Sequence, residues 1–124
     1  MRILGIDFGE KKIGFAISTG KTALPFGVIN NTKGAIPRIK KICQEEEINQ
    51  VVIGLPLKLD GTEGKMAKRV RRFGKRLWRK VGLKVCFWDE RLTTQEAKHR
   101  LIDKKAEDSI AAAIVLQSYL DSEK

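Results

Sequence analysis

The stretch Ile3-Leu4-Gly5-Ile6-Asp7-Phe8-Gly9-Glu10-Lys11-Lys12-Ile13-Gly14-Phe15-Ala16-Ile17-Ser18 decides the fold class. Residues 2–8 are apolar almost throughout, as in a strand buried on both faces, and the run ends on Asp7. Gly9 to Lys12 reads as a turn. Ile13 to Ser18 follows as a returning strand, in which Gly14 permits close approach of another backbone. Leu24 to Ile29 supplies a third strand, with Pro25 near its start, where a missing N–H is tolerated. Three strands with short links predict an antiparallel meander.

Beyond residue 30 the period changes. Ile36, Ile39, Ile42 and Cys43 mark one face of a helix, and Pro37 fits its first turn. Val51-Val52-Ile53-Gly54 is a short buried strand. Asp60 and Glu63 have the spacing of a capping box for a second helix, whose apolar side carries Met66, Val70, Phe73 and Leu77 and which stops near Gly82. Lys84 to Trp88 form a fifth strand. Thr93 and Glu96 repeat the capping-box spacing and start another helix, and a last helix runs from about Ala106 to Leu120. The order β-β-β-α-β-α-β-α-α predicts one α/β domain over residues 1–124, a mixed sheet of about five strands with the first three antiparallel and helices packed on it.

The net charge of +10 in 124 residues argues for a polyanionic partner, because Lys and Arg that neutralise phosphates release condensed counterions. No apolar run approaches the length of a bilayer span, and Asp7 interrupts the stretch a signal peptide would need. A cytoplasmic protein without membrane contact is expected. Cys43 and Cys86 lie inside apolar patterns without metal-ligand spacing, so both read as reduced thiols. His99, the only histidine, stands between Lys98 and Arg100 as a solvated helix position.

Acids at three places could carry chemistry. Asp7 ends a strand at the centre of the sheet, where an unpaired charge is costly, although an Asp also commonly caps such a turn. Asp89-Glu90 directly follows the apolar strand Val85-Cys86-Phe87-Trp88, and functional groups collect outside the carboxyl ends of parallel strands. The plainer alternative there is an exposed loop in which Arg91 pairs with a neighbour. Asp108 opens the last helix, a position that the helix dipole alone would favour. Together the acids suit Mg²⁺, a hard cation that takes carboxylate, phosphate and water oxygens. Two such ions roughly 4 Å apart can activate water and stabilise a leaving oxygen in phosphodiester cleavage.

The second helix adds a basic face. Lys68, Arg69 and Arg72, then Lys75, Arg76 and Arg79, all fall off its apolar stripe, and no acid follows Glu63 in it. Phosphate contact independent of sequence is the expected role, shared with Lys11, Lys12 and Arg91 beside the acids.

Taken in order, Asp7-Phe8-Gly9 with Ile13-Gly14, Val52-Ile53-Gly54-Leu55-Pro56, Leu59-Asp60-Gly61-Thr62-Glu63, Asp89-Glu90-Arg91-Leu92-Thr93-Thr94 with Glu96-Ala97, and Asp108 with Ala111-Ala112 and Leu116-Gln117-Ser118-Tyr119-Leu120 resemble the YqgF family. These are RuvC-like proteins described as Holliday junction resolvases or pre-16S ribosomal RNA nucleases, and the resemblance spans essentially the whole chain. It implies an RNase H-like fold and a nuclease site dependent on Mg²⁺ or Mn²⁺. Carried over by position, catalytic acids fall at Asp7, the Asp89-Glu90 pair and Asp108. Metal falls to Asp7, Asp108 and one member of the pair, with Glu90 favoured over Asp89. The implied substrate is structured RNA or branched DNA, and a resolvase that cuts two strands symmetrically would act as a homodimer. Family members have a longer, often basic connection before the last acid, where this chain has only Asp103-Lys104-Lys105-Ala106-Glu107. The rival expectation is a non-catalytic nucleic-acid-binding factor in ribosome maturation or transcription that keeps the fold and the charge.

Overall fold

The computed structural model describes residues 1–92 and 107–123. The chain enters the sheet through β1 (Ile3–Phe8), turns back as β2 (Lys12–Thr19) and returns as β3 (Thr22–Asn30). After α1 (Ala35–Glu45) come β4 (Gln50–Leu55), α2 (Lys65–Val81) and β5 (Lys84–Asp89). A 3-10 turn, Glu90–Leu92, follows β5, and the last described helix is α3 (Glu107–Ser122). The strand order is β3-β2-β1-β4-β5. The β1–β2 and β2–β3 pairs are antiparallel, while β1–β4 and β4–β5 are parallel. Both the meander and the α/β alternation expected from the sequence are present. The expected helix around Glu96 to Ile102, its Thr93–Glu96 cap, His99 and the short connection at 103–106 lie outside the described residues.

Strand alternation divides the core between the two faces of the sheet. Leu4 and Ile6 of β1 join Ile13, Phe15, Val51 and Ile53 in the core under α1 and α2. Ile3, Ala16 and Val52 pack with Ala112, Val115 and Leu116 of α3 on the other face. Side chains pin α3 in place: Trp88 Nε1 donates to Ser118 Oγ (2.9 Å), and Gln50 Nε2 donates to the Tyr119 hydroxyl (3.0 Å). Close approach of α3 depends on glycine as well as on its alanines, because a Cβ on Gly5 would meet Leu116 Cβ at 2.7 Å and the Ala112 carbonyl at 3.1 Å.

Two local expectations are corrected. The Asp60–Glu63 capping box does not form: α2 begins at Lys65 behind Gly64 without a side-chain cap. Asp60 instead closes a tight turn, accepting from the Thr62 N–H (2.9 Å) and hydroxyl (2.7 Å), and Glu63 pairs with Arg71 at 2.7 Å. The buried stripe of α2 is Ala67, Val70, Phe73, Gly74 and Leu77, with Met66 only half-buried. The helix does end at Gly82, in the left-handed conformation (φ 75°) that favours glycine.

Candidate active site

Asp7 lies near the carboxyl end of the central strand. Its β1 neighbours Ile3 and Gly5, of the same parity, face α3, so Asp7 belongs to the α3 face. A glycine flanks it on each side. Gly14 of β2 is its cross-strand partner. On β4 the register pairs Ile6 with Ile53, which sets Gly54 beside Asp7 one residue further on. Each glycine leaves room for one of the other predicted acids. A Cβ on Gly14 would run into the Asp108 carbonyl, so the first turn of α3 sits directly on that position. A Cβ on Gly54 would meet Glu90 Oε1 at 2.5 Å and Glu90 Cγ at 3.0 Å, so the Glu90 carboxyl lies over the end of β4. Asp7, Glu90 and Asp108 are all half-buried.

Asp89, one residue before Glu90, has a different environment. Its carboxylate accepts from Arg91 Nη2 (2.8 Å), Arg91 Nε (3.1 and 3.2 Å) and the Arg91 backbone N–H (2.9 Å). These hydrogen bonds, the side-chain one foremost, hold the Asp89 carboxyl below the usual carboxylate range, and the same pairing raises Arg91. Arg91 Nη1 also donates to the Leu59 carbonyl (3.2 Å), tying the β4–α2 loop to the end of β5. Asp89 thus matches the plainer reading of a loop acid paired with Arg91, while Glu90 turns over the sheet edge.

The structure therefore brings Asp7, Glu90 and the backbone of Asp108 to one corner. Among the described residues no group of three or more His, Cys, Asp or Glu side chains stands ready to hold a metal ion. Lys11 and Lys12 are exposed in the turn beside Asp7. Lys68, Arg69, Arg72, Lys75, Arg76 and Arg79 are exposed along α2, on the opposite face of the sheet from the acids. Arg69 reaches back to Glu10 of the β1–β2 turn at 3.4 Å. Reading the sequence missed further cations beside α1, Lys33 and Lys40, which line the cleft between α1 and α2. Lys33 lies in the turn before α1 and Lys40 within it, so no helical spacing links them in the sequence.

A mixed sheet in this strand order, with acids at the carboxyl ends of its parallel strands, is an RNase H-like fold. Thermus thermophilus RuvC, solved in complex with Holliday junction substrate, superposes with a TM-score of 0.67 at 14% identity, covering 100% of this chain and 97% of that one. The fowlpox virus Holliday junction resolvase matches with a TM-score of 0.58 at 15% identity, covering 98% of this chain and 99% of the other. Likeness at these identities shows the shared fold. The chain belongs to the family described as RuvX: Holliday junction resolvase, whose model matches residues 1–122. A relative from Carboxydothermus hydrogenoformans, named "Putative pre-16S rRNA nuclease", is 42% identical over 133 residues, which cover 98% of this chain and 96% of the relative. The family is one of nucleases, hydrolases of phosphodiester bonds. No helix among the described residues is long and apolar enough to cross a membrane.

Proposed function

We propose that this chain hydrolyses phosphodiester bonds of a structured nucleic acid with Mg²⁺ or Mn²⁺ held at Asp7, Glu90 and Asp108. The observation that carries this reading is the Glu90 carboxyl lying over Gly54, next to Asp7 in the sheet register. An all-oxygen donor set fits a hard cation. Mg²⁺ is commonly bound through one or two carboxylates together with substrate phosphates and water, so the site does not require a preformed cage of three acids. When bound, the metal would supply an activated water and stabilise the leaving oxygen.

The chain's own residues position the substrate. Asp7 and Glu90 would hold the metal at the sheet edge, and the reactive phosphate would meet it there. The N-terminal end of α3, packed on Gly14, turns its positive dipole toward the same corner, which favours negative charge there. Lys11 and Lys12 meet phosphates beside the acids, and Arg91 braces the loop that borders them. Asp89, already neutralised by Arg91, holds no metal in this reading.

The full-length relative at 42% identity carries a precursor-RNA name and the family model a junction-resolvase description, while the junction-DNA complexes share the fold alone, so precursor 16S ribosomal RNA and junction DNA are tested together. Cutting of the precursor RNA belongs in the cytoplasm and needs one site, whereas symmetric junction cutting calls for a homodimer. The test is cleavage of matched precursor RNA and four-way junction DNA side by side, with Mg²⁺, with Mn²⁺ and with chelator. Metal-dependent cutting of either supports the reading. Binding of both without cutting would leave the non-catalytic factor in its place.

A further inference from the structure

The cleft between α1 and α2 is lined by cations from both walls. Its upper part, about 370 Å³, is bordered by Lys33, Arg69, Arg72 and Arg76 above Phe8 and Phe73. Its lower part, about 500 Å³, is bordered by Lys33, Lys40, Arg76, Arg79 and Lys80. The two parts share Lys33, Ile36 and Arg76, so they form one continuous groove, and no carboxylate lines either. A solvated helix face normally mixes signs; a groove with cations on both walls concentrates positive potential between them. Lys68 and Lys75, on the outer side of α2, line neither part.

The groove has a fixed relation to the acids. Asp7 and Phe8 are consecutive residues of β1 and therefore face opposite sides of the sheet. Asp7 faces α3, while Phe8 lies against Phe73 with ring centroids 4.6 Å apart, at the upper part of the groove. The groove thus opens at the sheet edge that carries the acids and runs down the opposite face. Between the two stands the β1–β2 turn with exposed Lys11 and Lys12, held to the start of the groove by the Asn31 Nδ2 donation to the Gly9 carbonyl (2.8 Å).

We infer that the α1–α2 groove is a second nucleic-acid track, which takes a single-stranded segment of the substrate whose phosphates lie on Lys33, Lys40, Arg76 and Lys80. A cleft between two neighbouring helices admits one backbone, whereas a duplex would meet only the crests. Basic grooves with aromatic or apolar floors are how proteins hold single strands without reading sequence. A strand leaving the groove passes over Lys11 and Lys12 and reaches the acids within the span of the β1–β2 turn. Which bond is cut would then be set by where a single strand meets structure. The inference rests on the proposed cutting site only for this last step.

The test compares two charge-matched double variants, Lys33→Gln/Lys40→Gln in the groove and Lys21→Gln/Lys84→Gln at exposed lysines outside it. Binding of a fluorescent single-stranded oligonucleotide of about 20 nucleotides, long enough to fill such a groove, is followed by anisotropy in EDTA from about 50 to 200 mM salt. EDTA keeps cleavage out of the measurement, and thermal melts confirm that both variants fold. The groove variant should lose roughly ten-fold in affinity, and its log–log salt slope should fall by about 1.4, from about 0.7 per single-strand contact. The outer variant should change affinity less than about two-fold, as expected for lysines that meet no phosphate. Equal losses in both variants, or no loss in the groove variant, would overturn the track. A protein that cuts nothing but shows this difference would refute the proposed nuclease site and leave the groove standing.

Discussion

The carboxyl group of Glu90 lies over Gly54, so close that a methyl group there would meet its Oε1 at 2.5 Å. The matching contact across Asp7, Gly14 against Asp108, is made by backbone instead. This difference separates site geometry from fold stability. In Gly54→Ala the clash falls on a side chain, that of Glu90, rather than on backbone. In Gly14→Ala it falls on the first turn of α3, which cannot move without disturbing the core around Ala112 and Leu116. We expect Gly54→Ala to keep its unfolding free energy within about 1 kcal/mol while losing most activity, and Gly14→Ala to lose about 1–3 kcal/mol or more. Urea titration and a cleavage assay on both variants check this. Equal stability loss in the two would mean that Glu90 is held as rigidly as backbone.

Asp89 and Arg91 should behave as a structural pair with its own pH signature. Arg91 holds the Asp89 carboxyl below its ordinary range. A folded-state value below the unfolded one means that the pair stabilises fully above the unfolded carboxylate value, about 3.9, and that this is lost as pH falls through the folded value. Both side chains are partly exposed, 22% for Asp89 and 37% for Arg91, so the whole contribution is about 1 kcal/mol at most. Wild type should therefore exceed Asp89→Asn in stability at pH 7 and converge with it in strong acid. A gap that stays constant from pH 7 to pH 3 would assign the contribution to hydrogen-bond shape rather than charge.

The fold was legible because hydrophobic period and strand length agree along most of the chain, from the β1–β2 hairpin to the stop at Gly82. The choice between Asp89 and Glu90 was not. β5 is apolar on both faces, with Phe87 packed toward α2 and Trp88 toward α3, so its sequence gives no clue to which acid turns which way. The register with Gly54 and the guanidinium of Arg91 make that choice, and both are tertiary facts. The Asp60–Glu63 spacing misled for a related reason. Gly61 in the left-handed region (φ 88°) lets Asp60 bond to Thr62, and Arg71 draws Glu63 away from the helix start. Lys33 and Lys40 carry no such signal in the sequence, because a groove exists only once two helices are side by side.

The two cysteines should differ sharply in reactivity. Burial on the inner face of α1 pushes the Cys43 thiol up to about 11, which leaves on the order of one thiolate in a thousand at pH 8. Cys86 is half-buried, and its sulfur accepts from Gln50 Nε2 at 3.2 Å. Iodoacetamide at pH 8 should label Cys86 first and reach Cys43 only on unfolding, as mass spectrometry of the native and urea-treated protein would show. Rapid native labelling of Cys43 would mean that α1 opens readily.

Amide substitutions test the site itself. Asp7→Asn and Glu90→Gln each keep size and remove one charge from the corner where metal is proposed. A metal that activates water and stabilises the leaving oxygen is worth several kcal/mol, so each variant should lose on the order of a thousand-fold in cleavage rate. Without metal their stability should hold or rise, because neutralising one of two like charges at the corner relieves repulsion. Asp89→Asn is the control one residue away. Its partner is Arg91, so it should lose about 1 kcal/mol at most and keep its turnover. Asp108→Asn decides how many acids the site has. Its backbone packs on Gly14 at the first turn of α3, where an acid is also favourable simply through the helix dipole. A loss of metal-dependent cutting at unchanged stability would make it the third ligand. A loss of stability with cutting intact would make it a helix-start residue and leave Asp7 and Glu90 to hold the metal alone.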